Sequence, residues 1–487
     1  MKIFKKSEFW LSVAILITIF IYRLPYSFMS VIDWDESCHF VAAQNIVNGG
    51  VLYKDIFDFH GPVAFFILAL VVAIFGNSTF ILHIFTTLYL LVNLIYVALI
   101  SRRLFPNVSY LIPAFIYGAF FSNQFEGISS NGELFMMLPV TIAVFHFVRY
   151  VQSKRTRELF WCGFFSAMAI LTKQTAFFSV LPIFLGWICV EAKYSQGFKV
   201  FTKRVLCYLA AGAVPFIVFI IYFWMKNALP DFLESFLFHG RRYVGLTPLK
   251  EAFLKFGDFM FKVSVVDMIT IMNYASLLFC LLAFRDMTRP QKRIFYLLVL
   301  FMACSFVGVF WGRHMFSHYY LQMALVFALL PALALSLLNL NMPQLRRILV
   351  VSLIIFWSTV NAYQVNHSFT RYRLSRADLN VVVARYIAER TTPQDKIFVL
   401  SGHPVLYFLA NRFSPTKYYY WILYDEHWMK IPRLEELTLE AFTKNKPKYF
   451  ILDINSRGKI PFLEVFMQQY YDPEVVIGAY VIAKVKE

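Results

Sequence analysis

Residues 159–190 read LFWCGFFSAMAILTKQTAFFSVLPIFLGWICV, a run of 32 residues whose single charge is Lys173. A helix rises about 1.5 Å per residue, so this run would measure ~48 Å, whereas one bilayer crossing needs about 30 Å. The run therefore predicts two short membrane-spanning helices, with Lys173 at an outer turn between them.

The whole chain has the composition of a membrane protein. Of its 487 residues, 59% are apolar and 15% are charged, against about 45–50% and about 25% in soluble globular proteins. A water-facing surface cannot hide 55 phenylalanines, so a soluble enzyme is excluded. With only 19 glycines and 19 prolines, a fibrous or disordered chain is excluded too. The six cysteines, mostly within apolar runs, do not indicate a disulfide scaffold.

Apolar runs along the chain predict a polytopic α-helical protein with about eleven transmembrane helices. The first run follows Lys2, Lys5 and Lys6 and resembles an uncleaved signal anchor with a cytoplasmic N-terminus. The predicted spans lie near 9–22, 79–100, 108–122, 134–150, 159–173, 175–191, 205–225, 269–284, 294–311, 319–339 and 347–364.

The net charge of +17 is best explained by membrane topology. With these spans, most basic residues before 366 fall on the cytoplasmic side, in clusters such as Arg102–Arg103, Lys154–Arg155 and Arg346–Arg347. Most acidic residues of that region fall outside. This is the positive-inside pattern, so the charge gives no reason to expect a nucleic-acid partner.

The same topology predicts two domains. Residues 1–365 form a transmembrane catalytic domain whose outer segments are 26–78, 226–268 and 312–318. Residues 366–487 form a small extracytoplasmic α/β domain, because strand-like runs alternate with helix-like runs. The strand-like runs are 396–400, 448–452 and 479–485, and the helix-like runs are 433–444 and 462–470.

The first outer segment, 26–78, begins with Asp33, Asp35 and Glu36 within four residues. Apolar residues at positions 40, 43 and 47 predict a short amphipathic helix on the outer membrane surface, ended by the glycines at 49–50. Asp35 would lie at its N-terminus, where it could be a plain N-cap. Alternatively, desolvation at the membrane edge could raise the pKa of one of these carboxyl groups toward the value that suits a general base.

The order and sidedness of several motifs, beginning with this segment, resemble the GT-C superfamily of membrane glycosyltransferases. The similarity extends over almost the whole chain and is greatest to bacterial members of glycosyltransferase family 39, related to protein O-mannosyltransferases and lipid A aminoarabinose transferases. It rests on Asp35-Glu36 with the following helix and on segments 53–62, 131–139, 169–175, 313–322, 402–408 and 446–451.

The resemblance implies transfer of a sugar from a polyprenyl-phosphate lipid to an acceptor hydroxyl on the outer face of the membrane, usually with inversion. It implies that Asp35 is the base, with Glu36 and Glu133 as further catalytic candidates. Asp33, Asp55 and His83 are candidates for acceptor binding or support. Glu133 and Asp55 could equally have structural roles, Glu133 as a charge favouring a helix N-terminus.

A phosphate leaving group needs positive charge. The candidate phosphate ligands are Lys173, Arg241, Arg242, Arg313 and His318. His314 and His318 are four residues apart and are expected on one helical face. The alternative is that these side chains only extend into lipid headgroups.

Two positions depart from the relatives. Where aminoarabinose transferases have a Glu-Lys-Pro segment with a metal-contacting Glu, this chain has His60-Gly61-Pro62. A divalent metal could instead bind His60 together with Asp58, although a single histidine in a loop often has no ligand. Where relatives have an Arg seven residues after a glycine, this chain has His83, which binds phosphate only if protonated.

The expected partners are a polyprenyl-phosphate sugar donor, the bilayer of the inner membrane and a cell-envelope acceptor, either a glycan such as lipopolysaccharide or a protein. The residues do not specify which sugar or acceptor.

An O-antigen ligase or polymerase, a lipid-linked sugar flippase and a non-catalytic scaffold stay open as alternatives. Asp35-Glu36 argues against the first. A flippase would place ionisable groups near the membrane midplane, and His146 is a possible example.

Overall fold

The protein is described from a computed structural model. The structure describes residues 6–122, 126–194, 197–240, 242, 247–266, 268–338, 352, 378–401, 403–425 and 430–486. The first part of the chain is helical. Its helices are α1 (Lys6–Arg23), α2 (Trp34–Val47), α3 (Pro62–Phe75), α4 (Thr79–Leu104), α5 (Leu111–Phe121), α6 (Gly132–Ser153), α7 (Thr156–Thr172), α8 (Ala176–Tyr194), α9 (Phe198–Met225), α10 (Leu229–Leu233), α11 (Leu249–Val266), α12 (Met268–Leu282), α13 (Arg289–Trp311) and α14 (Ala324–Leu337).

The helices confirm a polytopic membrane fold. The part of the chain that the structure describes contains six helical segments that are long and apolar enough to cross a membrane. They are Glu8–Phe28, Thr79–Leu104, Gly132–Ser153, Phe198–Met225, Arg289–Trp311 and Ser317–Leu337. Shorter apolar helices add to them. The predicted turn is also confirmed, because α7 ends at Thr172 and α8 begins at Ala176, leaving Lys173 between them. The predicted span at 347–364 lies outside the described residues.

The chain after residue 378 forms a small α/β fold. Its elements are α15 (Leu379–Arg390), β1 (Ile397–Leu400), α16 (Val405–Ala410), α17 (Leu434–Lys444), β2 (Tyr449–Asp453), α18 (Pro461–Tyr470), β3 (Tyr471–Ile477) and β4 (Tyr480–Val485). The sheet order is β1-β2-β4-β3, with β1 parallel to β2 and the other pairs antiparallel.

All three strand-like runs of the tail are confirmed as β1, β2 and β4, whereas β3 is not predicted from the sequence. It contains Pro473 and a register irregularity between Pro473 and Val475. Proline cannot donate a ladder hydrogen bond, so it is confined to edge strands and bulges. β3 occupies the sheet edge, where such a residue is tolerated.

The chain forms two compact units. The first comprises residues 1–25, 86–218 and 247–367, and the second comprises 26–85, 219–246 and 368–487. The compact units therefore group the first outer segment with the tail, a grouping that the predicted division between 365 and 366 does not include. That division into a catalytic and a tail domain stays a prediction.

In the first unit, the helix centres form the core. Every residue of α5 and every position of α14 from Ala324 to Ala334 is buried. Helix α6 begins where the Asn131 side chain accepts a hydrogen bond of 3.0 Å from the Leu134 N–H, which satisfies one of the free donors of the first turn. This cap places Glu133 within the first turn.

In the second unit, α2 and α3 are neighbours. Pro62 begins α3, a position where its missing N–H costs nothing. Gly76 ends the helix at φ 77°, a backbone conformation that glycine adopts without strain. The first outer segment is therefore built mainly from two defined helices.

Candidate active site

Helix α2 carries the predicted base. Asp33 is its N-cap, with φ −140°, so Asp35 and Glu36 lie in the first turn. Asp35 therefore lies at the N-terminus of α2 as predicted, but the N-cap is Asp33, two residues before Asp35, so the alternative that Asp35 is a plain N-cap is wrong. The Asp35 side chain is partly exposed, whereas Glu36 is fully buried. Adjacent carboxylates thus occupy different environments.

The prediction of an amphipathic surface helix is also wrong. Every residue of α2 from Glu36 to Gln44 is buried, polar and apolar alike, although Val47 near its end is 40% exposed. The polar side chains are tolerated inside because they have partners. Gln44, for example, donates to the side-chain oxygen of Asn411 at 2.9 Å, and Asn77 donates to the same oxygen at 3.1 Å. The first bond connects α2 with the tail, and the second connects the turn after α3 with the same residue.

The buried Glu36 carboxylate holds the start of α2. It accepts hydrogen bonds from the backbone N–H groups of Ile32 and Asp33. Its oxygens also lie 3.2 and 3.3 Å from Nε2 of His83, which is itself buried at the start of α4. Glu36 and His83 therefore form one hydrogen-bonded pair beneath the first turn, an arrangement that suits support of Asp35.

The loop between α2 and α3 is braced by its own side chains. Asp55 accepts a 2.7 Å hydrogen bond from the Val51 N–H, and the Tyr53 hydroxyl donates to the His60 carbonyl at 2.6 Å. Tyr53 has φ 70°, so this turn is held in a conformation that non-glycine residues seldom adopt. The contacts of Asp55 are those of a turn-forming residue.

Asp58 and His60, the predicted metal ligands, bind each other. One oxygen of Asp58 accepts from the N–H groups of Phe59 and His60 at 2.7 and 2.8 Å and lies 2.9 Å from Nδ1 of His60. Burial raises the pKa of the Asp58 carboxyl, but His60, His39 and the backbone bond outweigh burial and hold that pKa below its ordinary value. Zinc sites have three or four protein ligands. A metal at this pair stays a prediction.

In the first unit, Lys173 and Glu133 form a buried ion pair. Lys173 Nζ lies 2.5 Å from a Glu133 carboxylate oxygen, and their side chains are 6% and 0% exposed. The Lys173 stem passes Gly132, where an added Cβ would lie 3.2 Å from its Cδ. Lys173 is thus neutralised inside the protein and does not extend into headgroups.

Arg313 and His318 lie at the start of the segment that leads into α14. Arg313 donates to the Thr247 carbonyl at 3.0 Å, and His318 Nδ1 lies 2.7 Å from a Glu126 carboxylate oxygen. The backbone has positive φ at Arg313 and Met315, and the helical turn starts only at Ser317. The prediction that His314 and His318 share a helical face is therefore wrong.

Of the two arginines predicted in the second outer segment, Arg242 is exposed and donates to Glu234 at 3.2 Å. Such an exposed ion pair contributes little to the stability of the fold. Arg241 lies outside the described residues.

Sequence reasoning missed Arg23, the last residue of α1. Its side chain is 1% exposed. It donates to the carbonyl oxygens of Phe121, Gly127 and Ile128 at 2.8, 2.9 and 2.7 Å, and to the Thr87 hydroxyl at 3.2 Å. Arg23 thereby anchors the chain just beside Glu126. A basic residue at a span end resembles any headgroup anchor, so only the fold reveals this role.

We expect Arg23→Met to lower the free energy of unfolding by more than about 2 kcal/mol, because it strands buried carbonyl groups that cost roughly 1–3 kcal/mol each. Unfolding of the purified chain measures this loss. Hydrogen exchange of residues 126–131 should also accelerate. The exposed Arg285 gives the control, and equal behaviour of Arg285→Met and Arg23→Met would contradict the anchoring role.

Known proteins resemble this chain in sequence over one region. The family described as dolichyl-phosphate-mannose-protein mannosyltransferase matches residues 59–224. This region runs from the loop beside His60 through Lys173 to the end of α9. A comparison of the sequence with curated proteins finds no match.

Solved structures resemble the chain over its full length. ArnT from Cupriavidus metallidurans bound to undecaprenyl phosphate has a TM-score of 0.60 at 14% identity, covering 97% of both chains. Its apo form has a TM-score of 0.62 at 12% identity, covering 98% of both. The Archaeoglobus fulgidus oligosaccharyltransferase gives 0.50 at 13%, covering 96% of this chain and 73% of that one.

These similarities define the class of fold. The chain is a multi-pass membrane protein with the GT-C fold of membrane glycosyltransferases, as its motifs predict. The particular likeness to family 39 is confirmed as a resemblance, carried by the matched region 59–224 and by the fold.

Proposed function

We propose that this protein is an inverting glycosyltransferase that moves a sugar from a polyprenyl-phosphate donor to an acceptor hydroxyl of the cell envelope. The reaction would take place on the outer face of the inner membrane, with the N-terminus in the cytoplasm and the tail outside. The observation that carries the proposal is the first turn of α2, where a partly exposed Asp35 follows the N-cap and a buried Glu36 braces the turn.

The proposed chemistry needs one base. As the acceptor oxygen attacks the anomeric carbon, its proton passes to Asp35. The bond from the anomeric carbon to the phosphate oxygen breaks, and polyprenyl phosphate leaves with the bonding electrons. A phosphate is already a good leaving group, so a second, protonating carboxylate of the kind used by glycosidases is not required.

The donor assignment rests on two kinds of support. The structurally similar ArnT binds undecaprenyl phosphate, and the chain offers cationic side chains in its predicted outer segments. Arg313 is the strongest candidate for the phosphate. Among the described residues, its guanidinium donates a hydrogen bond to the Thr247 carbonyl oxygen at 3.0 Å, and this neutral partner does not balance its charge. An arginine can bind a phosphate through several N–H groups at once. Lys173 is a weaker candidate, since Glu133 already balances its charge.

A reconstituted assay tests the proposal. The full chain in lipid nanodiscs is given undecaprenyl-phosphate-linked hexoses and pentoses, or the matching nucleotide sugars, together with envelope extract as acceptor. We expect acceptor-dependent release of undecaprenyl phosphate from at least one lipid donor and no turnover of nucleotide sugars. Turnover of nucleotide sugars would overturn the donor assignment, and movement of the lipid across the bilayer with its sugar bond intact would favour a flippase.

A further inference from the structure

Trp34, the residue between Asp33 and Asp35, belongs to an aromatic cluster. Its ring centroid lies 5.7 Å from that of Tyr420 and 5.9 Å from that of Trp421, at interplanar angles of 76° and 82°. The His403 ring lies 6.2 Å away. Helix α2 and the tail thus both contribute rings to one group, which is called the Trp34 cluster below.

The rings of the Trp34 cluster differ in how much of their surface is exposed to solvent. Tyr420 is buried, and Lys459 places its ammonium 4.1 Å from the centroid of the Trp421 ring, an attractive cation–π arrangement. Trp34 is only partly buried. An indole held edge to face by its neighbours, yet still open to solvent, is a preformed apolar surface.

Two polar atoms of the cluster add hydrogen-bonding capacity. The Trp421 Nε1 and the His403 Nδ1 are both buried and have no hydrogen-bond partner among the residues that the structure describes. Burial lowers the pKa of His403, against the opposite effect of Glu36 and Asp453. A neutral histidine can accept a hydrogen bond on one ring nitrogen and donate one from the other, whereas the indole N–H can only donate.

A pyranose ring matches these properties. One face of the sugar exposes C–H groups, which carry partial positive charge and pack against the negative face of an indole. Its hydroxyl groups both donate and accept, as the His403 and Trp421 atoms require. A serine or threonine side chain of a protein acceptor has no comparable ring face.

We propose that the Trp34 cluster binds a pyranose ring of the acceptor, so that the attacking hydroxyl, which gives its proton to Asp35, belongs to a carbohydrate and not to a protein. This inference rests on the proposed transferase function and narrows its acceptor class. Trp34 is the residue that contacts the sugar, and Asp35 follows it directly in the chain.

Saturation-transfer NMR on the full chain in nanodiscs tests the inference, with methyl α-mannopyranoside, methyl α-glucopyranoside and N-acetylthreonine amide as probes. We expect saturation of C–H protons on one face of a glycoside and none of the threonine amide. Trp34→Leu keeps apolar volume but removes the ring, and it should weaken glycoside binding about tenfold. Trp34→Ala is a second variant, and Trp224→Ala is the control, because Trp224 is 67% exposed and outside the cluster.

The outcomes separate this inference from the proposed function. Equal glycoside signals in Trp34→Leu and the unaltered chain, or a threonine signal stronger than the glycoside signals, would overturn it. Asp35→Asn should bind glycosides as the unaltered chain does, because stacking does not need the base. If transfer persists in Asp35→Asn while glycoside binding still depends on Trp34, the base assignment fails and the sugar site stands.

Discussion

Asp35→Asn should reduce the rate of sugar transfer about 10²–10⁴-fold, the usual contribution of a positioned general base. The amide has nearly the shape of the carboxylate but cannot take the acceptor proton. The affinity for the lipid donor should stay unchanged, since the donor needs cations and not this carboxylate. Single-turnover transfer from a lipid-linked sugar in nanodiscs measures the rate, and equilibrium binding of undecaprenyl phosphate measures the affinity.

Two comparison variants make this result interpretable. Asp472→Asn alters an exposed carboxylate of β3 and should leave transfer intact. Glu36→Gln should lower the unfolding temperature as well as the rate, because Glu36 is buried and supports the first turn of α2 through two N–H groups and His83. If Asp35→Asn keeps more than about a tenth of the transfer rate, Asp35 is not the base.

Lys173→Met should destabilise the first unit by about 3–5 kcal/mol, the second large effect. It leaves Glu133 as a charge without its cation in a site where both side chains are almost inaccessible. Removing both members with Glu133→Gln and Lys173→Met should recover more than half of the loss, because no uncompensated charge is left inside. Thermal unfolding of the purified chain gives the comparison.

The exposed pair of Lys255 with Glu251 supplies the matched control. Its atoms are 2.8 Å apart, but the side chains are 46% and 51% exposed. Lys255→Met should therefore cost less than about 0.5 kcal/mol. A loss of similar size in Lys173→Met would mean that the buried pair is not needed for stability.

Patterns within a few residues predict local structure well in this chain. The 32-residue run around Lys173 is correctly predicted as two helices because helix length is limited by bilayer thickness. The apolar run near 134–150 likewise predicts α6, which begins at Gly132 with Glu133 in its first turn. By contrast, residue type does not distinguish the N-cap of α2, because Asp33 and Asp35 are equally good N-caps, and the structure places Asp33 there.

Pairings between distant residues cannot be obtained in this way. Glu36 meets His83 across 47 residues, and Lys173 meets Glu133 across 40. A basic side chain at a span end has the same local sequence whether it reaches headgroups or a buried carboxylate. Its actual partner depends on how the helices pack, and periodicity carries no information about that.

The sequence by itself determined the class of this protein: a multi-pass helical chain with a small α/β tail and a concentrated group of carboxylates at 33–36. Hydropathy and charge distribution suffice for this, since the bilayer limits which segments can cross it. Only the tertiary structure decided that α2 is buried, that Glu36 is paired while Asp35 is partly exposed, and that Trp34 joins rings of the tail. Burial and pairing depend on contacts between segments far apart in the chain, which no local pattern specifies.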